Sequence, residues 1–142
     1  MPLRDIKLKE IMVHQVATID ENAGLTAAAK TMSDKNIGSI IVVERDIPIG
    51  ILTEKDLLHK VVAVGKDPTK LYVKDVMTTS IKTVDPEVSV FAAHKMMHDN
   101  KFRRLPVVKG NKLLGIVTQT DLSKVMSNFA SKISPEMEKP PS

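Results

Sequence analysis

Two threonine–aspartate pairs of identical spacing, Thr53-x-x-Asp56 and Thr118-x-x-Asp121, are the residues whose types most suggest binding chemistry. An ionised aspartate only accepts, so it can take hydrogen bonds from both hydroxyls of a vicinal diol such as a ribose. Threonine hydroxyls and free backbone N–H groups at a helix start suit a phosphate, because the helix dipole there favours an anion. The same spacing is also a capping box, in which the two side chains satisfy the first-turn amides, and the two roles are compatible. Lys55 and the pair Arg103-Arg104 are the cations nearest these motifs or the apolar runs that precede them. A guanidinium fork matches phosphate oxygens, although arginines ordinarily sit solvated on a surface. His94 and His98, four apart, have a spacing that could bring two imidazoles to one metal. A third ligand and the glutamate of a His-Glu-x-x-His pattern are missing, and His14 and His59 have no identifiable metal partner, so no metal site is expected.

These motifs recur because the chain is duplicated. A shift of 65 residues carries Ile11-Met12 onto Val76-Met77 and holds without a gap as far as Leu57 on Leu122. It superposes Thr18 on Thr83, Asp20 on Asp85, Ala27-Ala28 on Ala92-Ala93, Gly50-Ile51 on Gly115-Ile116 and Asp56 on Asp121. The period exceeds the 20 to 50 residues of solenoid repeats, so it describes a small domain present twice.

Each copy carries the same succession of signals. An extended stretch, Val16–Ile19 or Ile81–Val84, leads to a helix whose start is marked by Asp20-Glu21-Asn22 or by Asp85-Pro86, aspartate as cap and proline first. Leu25, Ala28, Ala29 and Met32, then Val90, Ala93 and Met97, fall on one helical face. Two apolar runs follow, joined by Arg45-Asp46 or Gly110-Asn111, and read as hairpins. A last helix begins at Thr53 or Thr118. The expected fold class is therefore α/β (α+β), a tandem duplicated β-α-β-β-α unit. A unit of about 55 residues is marginal alone, so the copies are expected to pack about a pseudo-twofold axis.

Composition narrows the function. The absence of cysteine removes disulfides, thiolate nucleophiles and cysteine-based metal motifs. An apolar share of 42% with 27% charged residues is ordinary for a soluble globular chain of 142 residues. The charged N-terminus and the lack of a long apolar run lead to the expectation of a cytoplasmic protein without signal peptide or membrane span. A net charge of +4, from 21 basic and 17 acidic residues interspersed along the chain, is weak support for nucleic acid, which calls for a clustered basic face. Nucleic-acid binding is the alternative function. An enzyme is not expected, since no Ser-His-Asp or metal constellation assembles from these motifs.

The order Asp75-Val76-Met77, Thr83-Val84-Asp85-Pro86, Arg104-Leu105-Pro106-Val107-Val108, Leu114-Gly115-Ile116-Val117-Thr118 and Asp121-Leu122 resembles the CBS domain. Lys9-Glu10-Ile11-Met12, Ile37-Gly38-Ser39-Ile40 and Gly50–Leu57 resemble it again in the first copy. The resemblance implies a stand-alone CBS pair, or Bateman module, with an N-terminal segment 1–7, repeats at 8–66 and 73–130 and a flexible tail at 131–142. It implies regulatory binding of adenosine-containing ligands (AMP, ADP, ATP or S-adenosylmethionine) in two clefts between the repeats, with no required cofactor. It also implies a homodimer that signals to an unknown regulated protein. The first ligand site would comprise Ile51, Thr53, Lys55, Asp56, Thr79, Ser80, Ile81, Phe102, Arg103 and Arg104. The second would comprise His14, Gln15, Val16, Ile37, Gly38, Ser39, Ile116, Thr118, Thr120 and Asp121. With no tryptophan and one tyrosine, adenine is expected between aliphatic side chains such as Ile51 and Ile81, not stacked on Tyr72. The arginines rank the first site as the tighter one for phosphorylated adenosine.

Overall fold

A computed structural model describes residues 5–133. Its elements in chain order are β1 (Thr18–Asp20), α1 (Leu25–Lys35), β2 (Ser39–Glu44), β3 (Ile47–Thr53) and α2 (Glu54–Leu57), followed by α3 (Val90–Asn100), β4 (Arg104–Lys109), β5 (Lys112–Thr118) and α4 (Gln119–Ile133). The β-α-β-β-α order is complete in the first copy. β1 pairs with β2 in parallel, Ile19 against Val42, and β2 pairs with β3 antiparallel.

The second copy lacks its first strand and keeps one parallel bridge, Val84 with Val107. In the first copy the Ile41 N–H donates to the Ala17 carbonyl. The residue 65 places on from Ile41 is Pro106, which has no N–H to give. The bonds on either side survive, Val84 N–H to Pro106 O and Val108 N–H to Val84 O, so pairing shrinks to a single residue.

Both long first helices start later than the aspartates suggest. Asp20 and Asp85 accept from the N–H groups of Asn22 and Glu87, capping a turn instead of a helix. The helices begin at Leu25 and Val90, after Gly24 and Ser89, which are held extended by bridges to Tyr72 and Lys7. An extended residue cannot belong to the helix, so pairing with these distant segments sets the start.

Those bridges belong to an exchange. The chain forms two compact units, one built from 5–14, 83–108 and 114–133, the other from 15–82 and 109–113. Neither is a sequence repeat, because each is completed by the segment that opens the other copy. In the first unit the short helix Leu8–Glu10 binds through Leu8 N–H to Val88 O and Lys9 N–H to Pro86 O, and Val13 and Ile116 exchange a pair of bonds. In the second, Val73–Asp75 binds through Val73 N–H to Ala23 O and Lys74 N–H to Glu21 O, and Thr78 and Ile51 exchange the same pair. Every one of these bonds maps onto its partner by the shift of 65.

Each unit has its own core. Leu8, Met12, Val90, Ala93, Met97, Leu105, Val107, Val117 and Leu122 are buried in one, and Leu25, Ala28, Met32, Ile40, Val42, Leu52, Val61, Val73 and Val76 in the other. The expected methionines Met32 and Met97 are core residues, and Met96 packs against the core's edge. Residues 134–142, which include most of the expected tail, lie outside those described.

Candidate functional site

Both threonine–aspartate motifs sit where a strand turns into a helix, and both form the capping box. Thr53 is the N-cap of α2: its hydroxyl accepts from Asp56 N–H at 3.2 Å, and Asp56 Oδ2 accepts from Thr53 N–H at 3.0 Å. Thr118 and Asp121 repeat this at 3.1 and 3.0 Å. One carboxylate oxygen in each motif is thereby fixed by its own backbone. The preceding residues help, since Glu54 N–H donates to Gly38 O and Gln119 N–H to Arg103 O. These bonds tie Gly38-Ser39 and Arg103-Arg104 to the motif of their own copy.

The second oxygen differs sharply between copies. Asp56 Oδ1 accepts from the Thr78 hydroxyl at 3.2 Å and lies 3.0 Å from Lys60 Nζ, one turn further along. Lys60 also donates to Val76 O at 3.0 Å. Asp56 is accordingly 7% exposed, a charged side chain sealed among its own partners. At Asp121 the positions equivalent to Lys60 and Thr78 are Val125 and Val13. Among the described residues nothing donates to its other oxygen, and that oxygen is not closed off from solvent. Lys60 and Thr78 were missed by motif reading, although the i,i+4 spacing of Asp56 and Lys60 and the repeat alignment both carry the signal.

The expected site residues divide between the units. Ile51, Thr53, Lys55, Asp56, Thr79, Ser80 and Ile81 belong to one, where the Ile51–Thr78 pairing brings the stretch after Thr78 beside β3. Ile51, Thr53 and Ile81 are half-buried, while Lys55, Thr79 and Ser80 are exposed. Gln15, Val16, Ile37, Gly38 and Ser39 belong to the same unit. Phe102, Arg103 and Arg104 belong to the other, with His14, Ile116, Thr118, Thr120 and Asp121. There Phe102 packs against the core, Arg103 and Thr120 are exposed, and the Ile116–Val13 pairing puts His14 beside β5. Tyr72 is exposed, with Lys74 Nζ 5.7 Å from its ring centre.

Matching recesses open beside the two motifs, each about 280 Å³. One is lined by Met32, Ser33, Asn36, Ile37, Glu54 and Leu57 with Ala29, the other by Met97, His98, Lys101, Phe102, Arg103 and Gln119. Equal volume with different charge is what duplication followed by divergence produces. His98 lies 3.5 Å from Asp99, and among the described residues no three metal-ligating side chains converge. No helix among the described residues is long and apolar enough to cross a membrane.

Comparison with known proteins accords with this geometry. The chain is 38% identical over 122 residues to the CBS domain-containing protein YhcV of Bacillus subtilis, spanning 85% of this chain and 86% of that one. The crystal structure of Hypoxic Response Protein I with two coordinated zinc ions is 31% identical with a TM-score of 0.73, over 83% of this chain and 97% of that one. The hexameric CBS-CP12 protein from bloom-forming cyanobacteria is 33% identical with a TM-score of 0.73, over 96% and 77%. A family model described as the CBS domain matches residues 8–63 and again 73–128. With nearly the whole chain covered by two matches, the protein belongs to the CBS-domain family and carries the domain as a tandem pair.

Proposed function

We propose that this CBS pair is a regulatory sensor for an adenosine-containing ligand, AMP, ADP, ATP or S-adenosylmethionine, and signals to a partner protein by changing conformation. The observation that carries the reading is the carboxylate at each strand-to-helix turn, one oxygen held by a backbone N–H and, at Asp121, the other left able to accept from a ribose diol. The half-buried Ile51 and Ile81 suit the faces of an adenine ring, and the backbone of Thr79-Ser80 suits its edge. A phosphate would draw on a cation of the same unit, Lys55 beside Thr53 or Arg103 beside Thr118. No cofactor is needed and no turnover of the nucleotide is expected. A ligand signals only if it binds two states of the protein unequally, so a structural response must accompany binding. The working form is a homodimer.

The deciding experiment is calorimetric titration of the purified chain with AMP, ADP, ATP, S-adenosylmethionine and NAD. Saturable binding of at least one adenosine compound, with no product formed, is the expected result. Absence of heat with all five would end the reading.

A further inference from the structure

Residue content within the motif ranks the Asp56 site first, because Lys55 stands where the second copy has Thr120. Occupancy of the carboxylates ranks the sites the other way. The Asp56 oxygen that its own backbone does not hold, Oδ1, is already taken, by a hydroxyl at 3.2 Å and an ammonium at 3.0 Å. An incoming diol would have to displace a charge-assisted contact with a neutral one. Asp121 carries no such partner among the described residues.

We propose that Lys60 is a built-in occupant of the first repeat's carboxylate, closing Asp56 to a diol and leaving Asp121 as the residue that reads the ligand. The proposal rests on the ligand reading above for its consequence, but the lock itself is a property of this chain. Three features support it. The lysine is anchored as well as paired, since Val76 O accepts from it at 3.0 Å, so it does not sweep freely. It lies in a π-helical turn, Leu58–Val62, that widens the helix directly after Asp56, whereas α4 remains α-helical through the equivalent stretch. Such single turns are uncommon and gather at functional positions. Finally, the two residues that make the lock, Lys60 and Thr78, both fall where the other copy has valine, so lock and open site differ by two side chains.

The repeat supplies its own test variants: Lys60→Val opens the lock, and Val125→Lys installs one at Asp121. The full chain is titrated with AMP and, separately, its carboxylates are amidated with a carbodiimide and a small amine and located by peptide mass. In the wild-type chain AMP binding should weaken about tenfold or more in Asp121→Asn and in Val125→Lys, and change little in Asp56→Asn. Lys60→Val should add a second AMP event that Asp56→Asn removes. Amidation should reach Asp121 in the wild type and Asp56 only once Lys60 is replaced; Lys60→Gln gives the same readout if the valine variant folds poorly. Equal amidation of Asp56 with and without Lys60, or AMP binding that depends on Asp56 and not on Asp121, overturns the proposal. No AMP binding in any variant, with the amidation difference intact, leaves the lock standing and removes the ligand reading instead.

Discussion

A first side-chain carbon on Gly50 would lie 2.7 Å from the carbonyl oxygen of Thr78, closer than any tolerated contact. Gly50 sits in β3 beside the bonds that Ile51 exchanges with Thr78, and Gly115 stands in the same relation to Val13, whose carbonyl would be 2.8 Å away. These carbonyls are backbone and cannot swing aside, and at Gly115 the Met12 sulfur, 2.7 Å away, crowds the same space. Gly50→Ala and Gly115→Ala should each destabilise the protein by about 1 to 3 kcal/mol. Urea denaturation read by circular dichroism measures this. Unchanged midpoints would mean that the exchanged segments are loosely held.

Much of this was legible in the sequence. The shift of 65 residues announced the duplication, the hairpins and the Thr53 and Thr118 helix starts, because local spacing decides those. Hidden were features set by distant partners. Leu25 as the helix start depends on Gly24 being pinned by Tyr72, and the fading of the second copy's first strand depends on a donor lost at Pro106. The different fates of Asp56 and Asp121 arise from Thr78, 22 residues away from Asp56 in the chain, and from Lys60 one turn on. Capping chemistry alone gives the two aspartates the same role.

The two aspartates should also differ in their worth to stability. Asp56→Ala removes the carboxylate half of the capping box, a hydroxyl contact and the partner of a half-exposed lysine, at a cost of about 2 kcal/mol after discounting the ion pair for solvent screening. Asp121→Ala removes only the carboxylate half of the capping box and should cost about 1 kcal/mol. Equal losses in chemical denaturation would contradict the described partners.

The first hairpin turn stores conformational strain. Arg45 and Asp46 both have positive φ, 52° and 65°, in a two-residue loop between β2 and β3. Such a turn is the province of Asn-Gly, and an arginine there is costly. Replacing Arg45-Asp46 by Asn-Gly should stabilise the protein by about 1 kcal/mol, read as a raised melting temperature. A lowered one would show that the arginine makes a compensating contact.

Lys9 and Glu87 give the first unit a salt- and pH-dependent contribution. They meet at 2.7 Å, and the hydrogen bond and charge of Lys9 hold the Glu87 carboxyl below its ordinary pKa, while Glu87 raises that of Lys9. A depressed carboxyl stabilises the fold above its unfolded pKa, and that benefit is lost as pH falls through the folded value. The raised lysine contributes below its unfolded pKa and ceases to as pH rises through its folded one. Glu87→Gln should therefore flatten the acid limb of the stability profile, and the difference from wild type should shrink in 1 M salt because both groups are exposed. A difference that survives the salt would point to a role other than charge pairing.

The proposed homodimer would have a specific surface to use. Leu58 and Val62 are 54% and 68% exposed, four residues apart after α2, and Val64 beyond them is 59% exposed. At the positions equivalent to Leu58 and Val62 the second copy has Ser123 and Ser127, so this helical pair of apolar side chains is not repeated there. Large apolar side chains grouped on a helix without cover mark an interface, and a twofold contact places the same patch on both partners. The dimer should therefore form first repeat against first repeat. Leu58→Asp with Val62→Asp would bury like charges face to face and should convert it to monomer in sedimentation, while Ser123→Asp should not. A wild-type chain that sediments as a monomer at micromolar concentration removes the dimer itself. A double aspartate variant that remains dimeric moves the interface elsewhere on the molecule.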